Sequence, residues 1–287
     1  MLQSQHQAFN MQHMTMLRRH LTERVHRLLR SFPVVVIAGP RQVGKSTLAK
    51  AVLAERSGSY LSLDDATLLQ TALDDPRALV RQGGFTVIDE VQLAPDLLRE
   101  IKIAVDEGRT PGMFLLTGSA NLLKMRSVTE SLAGRSAWAE LGTFTWSELA
   151  GAPAPRTVDV LFAATGDGEE AIGALPAVQA GAADTVRRLA VRGAMPAALA
   201  LSPADRRDFY DSYRLTFVER DLRQLARVED LQAFGRVLAM AMGRTSGLVN
   251  FSDLAADARV SPPTARSYLD LLETGCQVRT LPAYFVN

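Results

Sequence analysis

Residues 39–47 read Gly39-Pro40-Arg41-Gln42-Val43-Gly44-Lys45-Ser46-Thr47 in a chain of 287 residues. The first eight fit the pattern Gly-x-x-x-x-Gly-Lys-[Ser/Thr], the loop whose backbone N–H groups cradle phosphate. The β-branched run Val34–Ala38 precedes this loop and predicts a buried parallel strand, and residues 48–55 predict a helix. Because strand, glycine loop and helix form the context that the motif requires, residues 39–47 predict a nucleoside triphosphate site.

Each residue type in the loop has a physical task. Gly39 and Gly44 allow backbone conformations that a Cβ would forbid, and the helix that starts near Lys45 directs its positive end at the anion. We expect Lys45 to reach the β- and γ-phosphates and Ser46 to ligate Mg²⁺. The other nucleotide-binding residues of the loop are expected to be Pro40, Arg41, Gln42, Val43 and Thr47.

A second motif supplies carboxylates for the same site. Residues 85–90 form an apolar run that ends in Asp89 and Glu90. Adjacent side chains on a strand point to opposite faces, which predicts different roles for the two acids. We expect Asp89 to hold Mg²⁺ directly or through water, as a Walker B aspartate does, and Glu90 to act as the general base for water. The alternative is a strand that ends in two solvated acids.

A third strand, at residues 113–117, ends in a threonine. In open α/β sheets, the carboxyl ends of the strands border the ligand crevice. We therefore expect Thr117 to position the attacking water or to sense the γ-phosphate, with Ser119 and Asn121 as alternatives. Ser119 is equally suited to cap a helix at residues 121–125, so its role stays open.

With these motifs, the sequence resembles the prokaryotic AAA+-type ATPases that join a P-loop core to a winged-helix region and an uncharacterised, often nuclease-like C-terminal domain. The resemblance covers about Arg18 to Tyr284. Besides the loop, the matching segments are Tyr60–Asp65, Ile88–Gln92, Leu116–Leu123, Ser131–Arg135 and Phe217–Leu222. The resemblance implies ATP and Mg²⁺ as ligands.

The sequence departs from that family at two places. Residues 193–197 read Gly-Ala-Met-Pro-Ala where relatives usually show Gly-Gly-x-Pro-Glu. The chain also stops about where the nuclease-like region would begin. We therefore expect a truncated form, to which no nuclease activity is carried over.

Phosphoryl transfer often uses an arginine, from the same chain or from a neighbouring subunit. Arg135 is the first candidate, because it follows Gly134 in a segment of the resemblance and stands at a strand entrance. Arg220 is the second, although its flanking acids also suit a structural ion pair. Arg41, inside the loop, is the third.

Composition limits the class of protein. The chain is 47% hydrophobic with a formal net charge of +1, which suits two domains with buried cores and gives no global attraction to nucleic acid or membrane. No apolar stretch approaches the roughly 20 residues of a membrane helix, and the one cysteine, Cys276, fits a reducing cytosol. We expect a cytoplasmic protein. The four histidines lack the clustering of a metal site.

The order of elements predicts the architecture. Strands alternate with helices over residues 17–150, which predicts an α/β P-loop NTPase core of the AAA+-like type, with a parallel sheet between helices. Residues 1–16 are expected to form a disordered tail. Residues 151–190 form an Ala/Gly-rich insertion or linker, which suits either a compact helical cap or a mobile loop. Residues 191–287 predict a helical and winged-helix domain.

The winged-helix prediction rests on the last part of the chain. Residues 251–258 and 263–273 predict the two helices of a helix-turn-helix, with Ser261 as N-cap, and residues 276–281 would begin the wing. The second helix offers one base, Arg266, against Asp270 and Glu273. Phosphate contacts with DNA need Lys or Arg, so this module favours packing or oligomer formation over strong DNA binding.

The sequence thus predicts a Mg²⁺-dependent ATPase whose hydrolysis cycle drives conformational change in a partner or a homo-oligomer. The first alternative is a nucleotide-gated DNA-binding or regulatory module with little hydrolysis. The second is a P-loop kinase for a small molecule, against which the expected base Glu90 and the winged helix both count.

Overall fold

The computed structural model describes residues 17–118, 132–163, 168–175, 181–217 and 230–282. The chain forms two compact units. One combines the N-terminal residues through Glu23 with Thr143–Arg206, and the other combines Arg24–Gly142 with Arg207–Asn287. These units do not coincide with the predicted domain boundaries, which stay predictions. The predicted tail at residues 1–16 lies outside the described residues.

Five strands in the described residues form one parallel sheet, which confirms the predicted α/β class. The strands are β1 (Val34–Ala38), β2 (Gly58–Ser62), β3 (Phe85–Asp89), β4 (Phe114–Gly118) and β5 (Ser136–Glu140). Their order in the sheet is β2-β3-β4-β1-β5. The central strands β1, β3 and β4 are buried along their whole length, as their continuous apolar runs require.

One helix precedes the first strand, and four more lie between β1 and β4. They are α1 (Leu21–Leu29), then α2 (Lys45–Ala54), α3 (Ala66–Asp74), α4 (Pro76–Val80) and α5 (Leu97–Gly108). Asp65 caps α3 by accepting hydrogen bonds from two backbone N–H groups, and Asp75 caps α4 by accepting one. The core between sheet and helices includes the fully buried Ile88, Ile101 and Leu116.

The first helix is shorter than the sequence predicts. Helical spacing from Leu17 predicts a helix over residues 17–30, but α1 begins at Leu21. Leu17 instead packs against Phe144 and Leu199, the apolar cluster of the first unit. Leu17 therefore fits the helical spacing although it lies outside the helix. Spacing alone does not distinguish a residue on a helix face from one that is buried by tertiary packing.

The first unit is built from short helices. They are α6 (Trp146–Leu149), α7 (Thr157–Ala163), α8 (Gly168–Gly173), α9 (Ala182–Arg192) and α10 (Pro196–Leu199), and α11 (Pro203–Thr216) runs from this unit into the second. The sequence over residues 171–178 predicts a helix, which corresponds in part to α8, whereas it does not indicate α7. The amphipathic pattern over residues 205–227 predicts one long helix, of which α11 is the described part.

A buried ion pair organises the first unit. Arg19 and Glu148 are 8% and 4% exposed, with Nε and Oε1 3.2 Å apart. Glu148 also accepts hydrogen bonds from the backbone N–H groups of His20 and Thr145, the second as part of a capping box. Burial alone would raise the pKa of Glu148, but these donors and Arg19 outweigh it, and the pKa lies below its usual range.

The end of the second unit is helical. Helices α12 (Leu231–Gly243), α13 (Phe251–Ala258) and α14 (Pro262–Thr274) enclose a core that includes Phe234 and Leu272. Helices α13 and α14 lie where the sequence predicts them, and Ser261 caps α14. No strand forms over residues 275–282, the described part of the predicted wing, so the wing stays a prediction. In the part of the chain that is described, no helix combines the length and apolar character needed to cross a bilayer.

Removing the carboxylate of the buried ion pair should destabilise the first unit. We expect Glu148→Ala to lower the free energy of unfolding by about 3 kcal/mol, because Arg19 keeps a buried charge without its partner. The difference should shrink as the pH falls below about 4, since protonation of Glu148 removes the same charge from the wild type.

Chemical denaturation monitored by circular dichroism provides the measurement. Arg187→Ala is the matched control, because Arg187 pairs with Asp184 on an exposed face and should cost no more than about 0.5 kcal/mol. Equal losses for the two variants would show that the buried pair is not a special contributor.

Candidate nucleotide site

The loop after β1 passes very close to the chain that follows β5. The N–H of Leu141 donates to the carbonyl of Ala38 at 2.8 Å. A Cβ on Gly39 would lie 2.1 Å from the Leu141 carbonyl oxygen, and Gly39 has a φ of +151°. Gly44, the residue before α2, has a φ of +94°. The two glycines of the motif are therefore required by close approach and by backbone conformation respectively.

Lys45 is held inside the loop. The whole residue is 5% exposed. Its Nζ donates to the carbonyls of Gly39 at 3.1 Å and Pro40 at 2.7 Å. Burial lowers the pKa of Lys45 below its usual value, while the nearby carboxylates of Glu90 and Asp89 oppose that shift. A buried ammonium between loop carbonyls is thus placed where an incoming phosphate would meet positive charge.

Asp89 ends β3 and is 3% exposed. Its two carboxylate oxygens accept hydrogen bonds from different neighbouring strands. The fully buried Thr117 hydroxyl, on β4, donates to Oδ1, and the Tyr60 hydroxyl, on β2, donates to Oδ2 at 2.6 Å. The predicted residues Asp89 and Thr117 are therefore in contact, at the edge of the sheet that also carries the loop.

Tyr60 is a site residue that the sequence analysis missed. Its hydroxyl donates to Asp89 and lies near Ser46, and burial together with the Asp89 contact raises its pKa above the usual range. The segment Tyr60–Asp65 belongs to the resemblance, but that does not show where Tyr60 points. The contact depends on register, which pairs Tyr60 with Val87 and Ser62 with Asp89, and leaves the long tyrosine side chain within reach of Asp89.

Glu90 does not continue the strand. Its backbone is left-handed, with φ 58° and ψ 43°, and a short 3-10 helix, Val91–Leu93, follows at once. Its N–H donates to Thr117 Oγ1 at 3.4 Å, and its carboxylate accepts a hydrogen bond from the Gln92 side-chain amide. The expected division of Asp89 and Glu90 between two strand faces therefore does not apply, because the backbone turns between them.

Arg135 lies at the other end of the strands, directly before the first residue of β5. It directly precedes β5, so the strand separates it from the loop by about 16 Å. Its guanidinium forms a two-point ion pair with Asp106, at 2.6 and 2.9 Å. The structure thus does not bring Arg135 to the phosphate loop of its own chain. The alternatives Arg220, Ser119 and Asn121 lie outside the described residues.

Two further groups near Lys45 come from the loop itself and from the end of the helical part. Arg41 and Cys276 both act electrostatically on Lys45, Arg41 lowering its pKa and Cys276 raising it. Cys276 follows α14, and in the same segment Arg279 pairs with Glu140, the last residue of β5, at 3.2 Å. The end of the helical part therefore borders the site, a proximity that the sequence analysis did not predict.

The residues at this edge suit a hard divalent cation. Asp89 accepts a hydrogen bond from the Tyr60 hydroxyl and Ser46 lies near the same hydroxyl, so their oxygens border the same space. Within the described ranges no group of three His, Cys, Asp or Glu side chains could hold a metal. This arrangement fits Mg²⁺, which is bound through one or two protein ligands together with phosphates and water.

Comparison with known proteins agrees with this geometry. Residues 31–150 match the family model of an AAA domain, and residues 183–287 match that of a domain of unknown function. Two uncharacterised proteins, Mb2031c of Mycobacterium bovis and Rv2008c of Mycobacterium tuberculosis, are each 33% identical over 273 residues. The match covers 94% of this chain and 54% of each relative. The chain thus spans about half the length of these relatives.

A solved structure supports the fold. The Walker-type ATPase PABY2304 of Pyrococcus abyssi superimposes with a TM-score of 0.51 at 15% identity, covering 90% of this chain and 89% of that protein. With the AAA-domain match to residues 31–150, this likeness supports the α/β P-loop fold described above.

The close approach of Gly39 to the Leu141 carbonyl leads to a testable prediction. We expect Gly39→Ala to lower the free energy of unfolding by about 3 kcal/mol, because the new Cβ meets a backbone oxygen that no side-chain rotation can relieve. Gly84→Ala is the matched control, since Gly84 also has a positive φ but nothing lies within 4 Å of its Cβ position.

The control should lose about 1 kcal/mol, from backbone strain alone. Urea denaturation of both variants gives the comparison. A Gly39 variant no less stable than the Gly84 variant would mean that the loop moves away from Leu141 without penalty.

Proposed function

We propose that this chain hydrolyses ATP to ADP and phosphate and that the cycle drives conformational change in a partner or in a homo-oligomer. The observation that carries the proposal is the convergence of Lys45, Asp89 and Thr117 at one edge of the parallel sheet. Buried charge, a glycine loop and a helix start meet there, as binding of a triphosphate requires.

The loop and Lys45 would hold the phosphates. The backbone N–H groups at the start of α2 point toward the anion, and Lys45 would exchange its loop carbonyls for β- and γ-phosphate oxygens. Ser46 and Asp89 would hold Mg²⁺, which would neutralise charge on the phosphates when bound. The remaining loop residues would contact the nucleotide through their backbone.

Glu90 and Thr117 would act on the attacking water. Glu90 would accept the proton of the water as general base, and its left-handed backbone, fixed by the N–H contact with Thr117, sets the carboxylate just beyond the strand end. The Thr117 hydroxyl contacts both Glu90 and Asp89. Thr117 would therefore couple the position of the Glu90 carboxylate to the presence of the γ-phosphate.

Arg135, the first candidate arginine, would act from another copy of the chain. Arg135 is too far from its own loop, but it stands on the surface of the unit in an ion pair that is partly exposed. In a homo-oligomer it would leave Asp106 to reach the γ-phosphate of the neighbouring copy. This role requires assembly, and it links hydrolysis to the oligomeric state.

The helical part would detect the nucleotide state. Its support is the segment after α14, where Cys276 lies within electrostatic reach of Lys45 and Arg279 pairs with Glu140. A change of charge at the loop, such as nucleotide binding, would therefore alter the electrostatic environment of residues in the helical part.

The alternative is a nucleotide-gated DNA-binding module with little hydrolysis. One observation weighs against it: the guanidinium of Arg266, the base that α14 offers, stacks over the Phe251 ring at 4.4 Å. This side chain already contributes to packing, so strong phosphate contacts from α14 are not favoured.

Hydrolysis of ATP by the purified chain tests the proposal. We expect Mg²⁺-dependent release of phosphate to water, a loss of at least about 100-fold in kcat for Glu90→Gln with ATP binding retained, and loss of ATP binding for Lys45→Ala. Glu107→Gln is the matched control, because Glu107 forms an exposed pair with Arg81 away from the loop and should leave the rate unchanged.

The same assay with duplex DNA separates the alternatives. A wild type that binds ATP but releases no phosphate, with or without DNA, would favour the nucleotide-gated module. Transfer of the γ-phosphate to a small molecule instead of water would identify a kinase and contradict the proposal.

A further inference from the structure

The hydroxyl of Tyr60 stands between two side chains that the proposed function assigns to the metal. It donates to Asp89 Oδ2 at 2.6 Å, and the Ser46 hydroxyl lies close enough to oppose the rise in its pKa. Ser46 lies at the start of α2 and Asp89 at the end of β3. One side chain from β2 thus connects the helix and the strand that together border the site.

The direction of these hydrogen bonds matters for metal binding. A tyrosine hydroxyl has one proton to donate and lone pairs to accept with. Since an ionised carboxylate only accepts, the Tyr60 proton points to Asp89, and a lone pair of the Tyr60 oxygen stays available to accept the proton of the nearby Ser46 hydroxyl. Both protons are directed along this chain of oxygens, so lone pairs of Ser46 and Asp89 stay available for a cation.

Asp89 is held at both oxygens. Thr117 donates to Oδ1 and Tyr60 to Oδ2, so the carboxylate plane is fixed by two strands on either side of β3. The Tyr60 ring is itself located by Lys50 of α2, whose Nζ lies 4.7 Å from the ring centroid. The orientation of Asp89 therefore depends on a side chain that touches neither nucleotide phosphates nor water in the proposed mechanism.

We propose that Tyr60 is a positioning residue for the metal site: its hydroxyl aligns the oxygens of Ser46 and Asp89 so that Mg²⁺ is captured with the nucleotide. This inference rests on the proposed function. It assigns to Tyr60 an effect on metal affinity and none on the metal-free binding of ATP, because Tyr60 has no role in the phosphate cradle formed by the loop and Lys45.

Tyr60→Phe tests the inference, because it keeps the ring and the Lys50 contact and removes only the hydroxyl. The readout is the fluorescence of a mant-labelled ATP, titrated first in EDTA and then with Mg²⁺ at fixed nucleotide. We expect the affinity in EDTA to stay within about twofold of the wild type and the Mg²⁺ midpoint to rise about 10- to 100-fold, the loss typical of removing a hydrogen bond to a metal ligand.

Tyr268→Phe is the matched control. Tyr268 packs against Phe234 in the helical core, so the same substitution there should leave the Mg²⁺ midpoint unchanged. Thermal unfolding in metal-free buffer confirms that all variants are folded.

The outcomes separate this inference from the proposed function. An unchanged Mg²⁺ midpoint in Tyr60→Phe, with a wild type that hydrolyses ATP, would overturn the inference alone. So would an equal loss of affinity with and without Mg²⁺, which would place Tyr60 in nucleotide binding. A wild type that binds no labelled ATP under either condition would overturn the proposed function and the inference with it.

Discussion

The burial of the Asp89 carboxylate is the constraint on which the site depends. An ionised group removed from water costs several kcal/mol unless hydrogen bonds and opposite charge compensate. Thr117 and Tyr60 supply the hydrogen bonds, and Lys45 supplies the charge. These partners come from β4, β2 and the helix after β1, so the carboxylate is satisfied only if the strands are parallel and adjacent to β3 in the observed order. The fold and the site are stabilised by the same contacts.

Secondary-structure elements and turns of this protein can be predicted from the sequence where they depend on residues that are close together in the chain. The range of β1 follows from an unbroken β-branched run, and the start of α14 follows from Ser261 and the proline after it. The phosphate loop is recognised because its glycines meet steric demands within a few residues of themselves. Features that depend on register or on distant contacts are different. Nothing near Tyr60 indicates that it reaches Asp89, and Arg19 and Glu148 are 129 residues apart in the chain.

Two residues of the site differ in what the sequence indicates. An apolar run that ends in two acids predicts that Glu90 continues the strand, but the strand ends one residue earlier, in a left-handed turn that such a run does not indicate. The motif around Arg135 leaves open whether this arginine acts in its own chain or in a neighbouring one. Here the signal was available: in a parallel sheet, residues that precede a strand lie at the edge opposite to residues that follow one. Arg135 precedes β5, so a role in its own chain was already disfavoured.

The end of β5 is held from two sides, by the loop at Gly39 and by Arg279 at Glu140. Thermodynamic linkage makes such an arrangement reciprocal: a molecule that shifts Arg279 changes nucleotide affinity by the same factor by which nucleotide changes the affinity for that molecule. An exposed ion pair contributes at most about 1 kcal/mol, so this contact alone transmits about a fivefold effect in each direction.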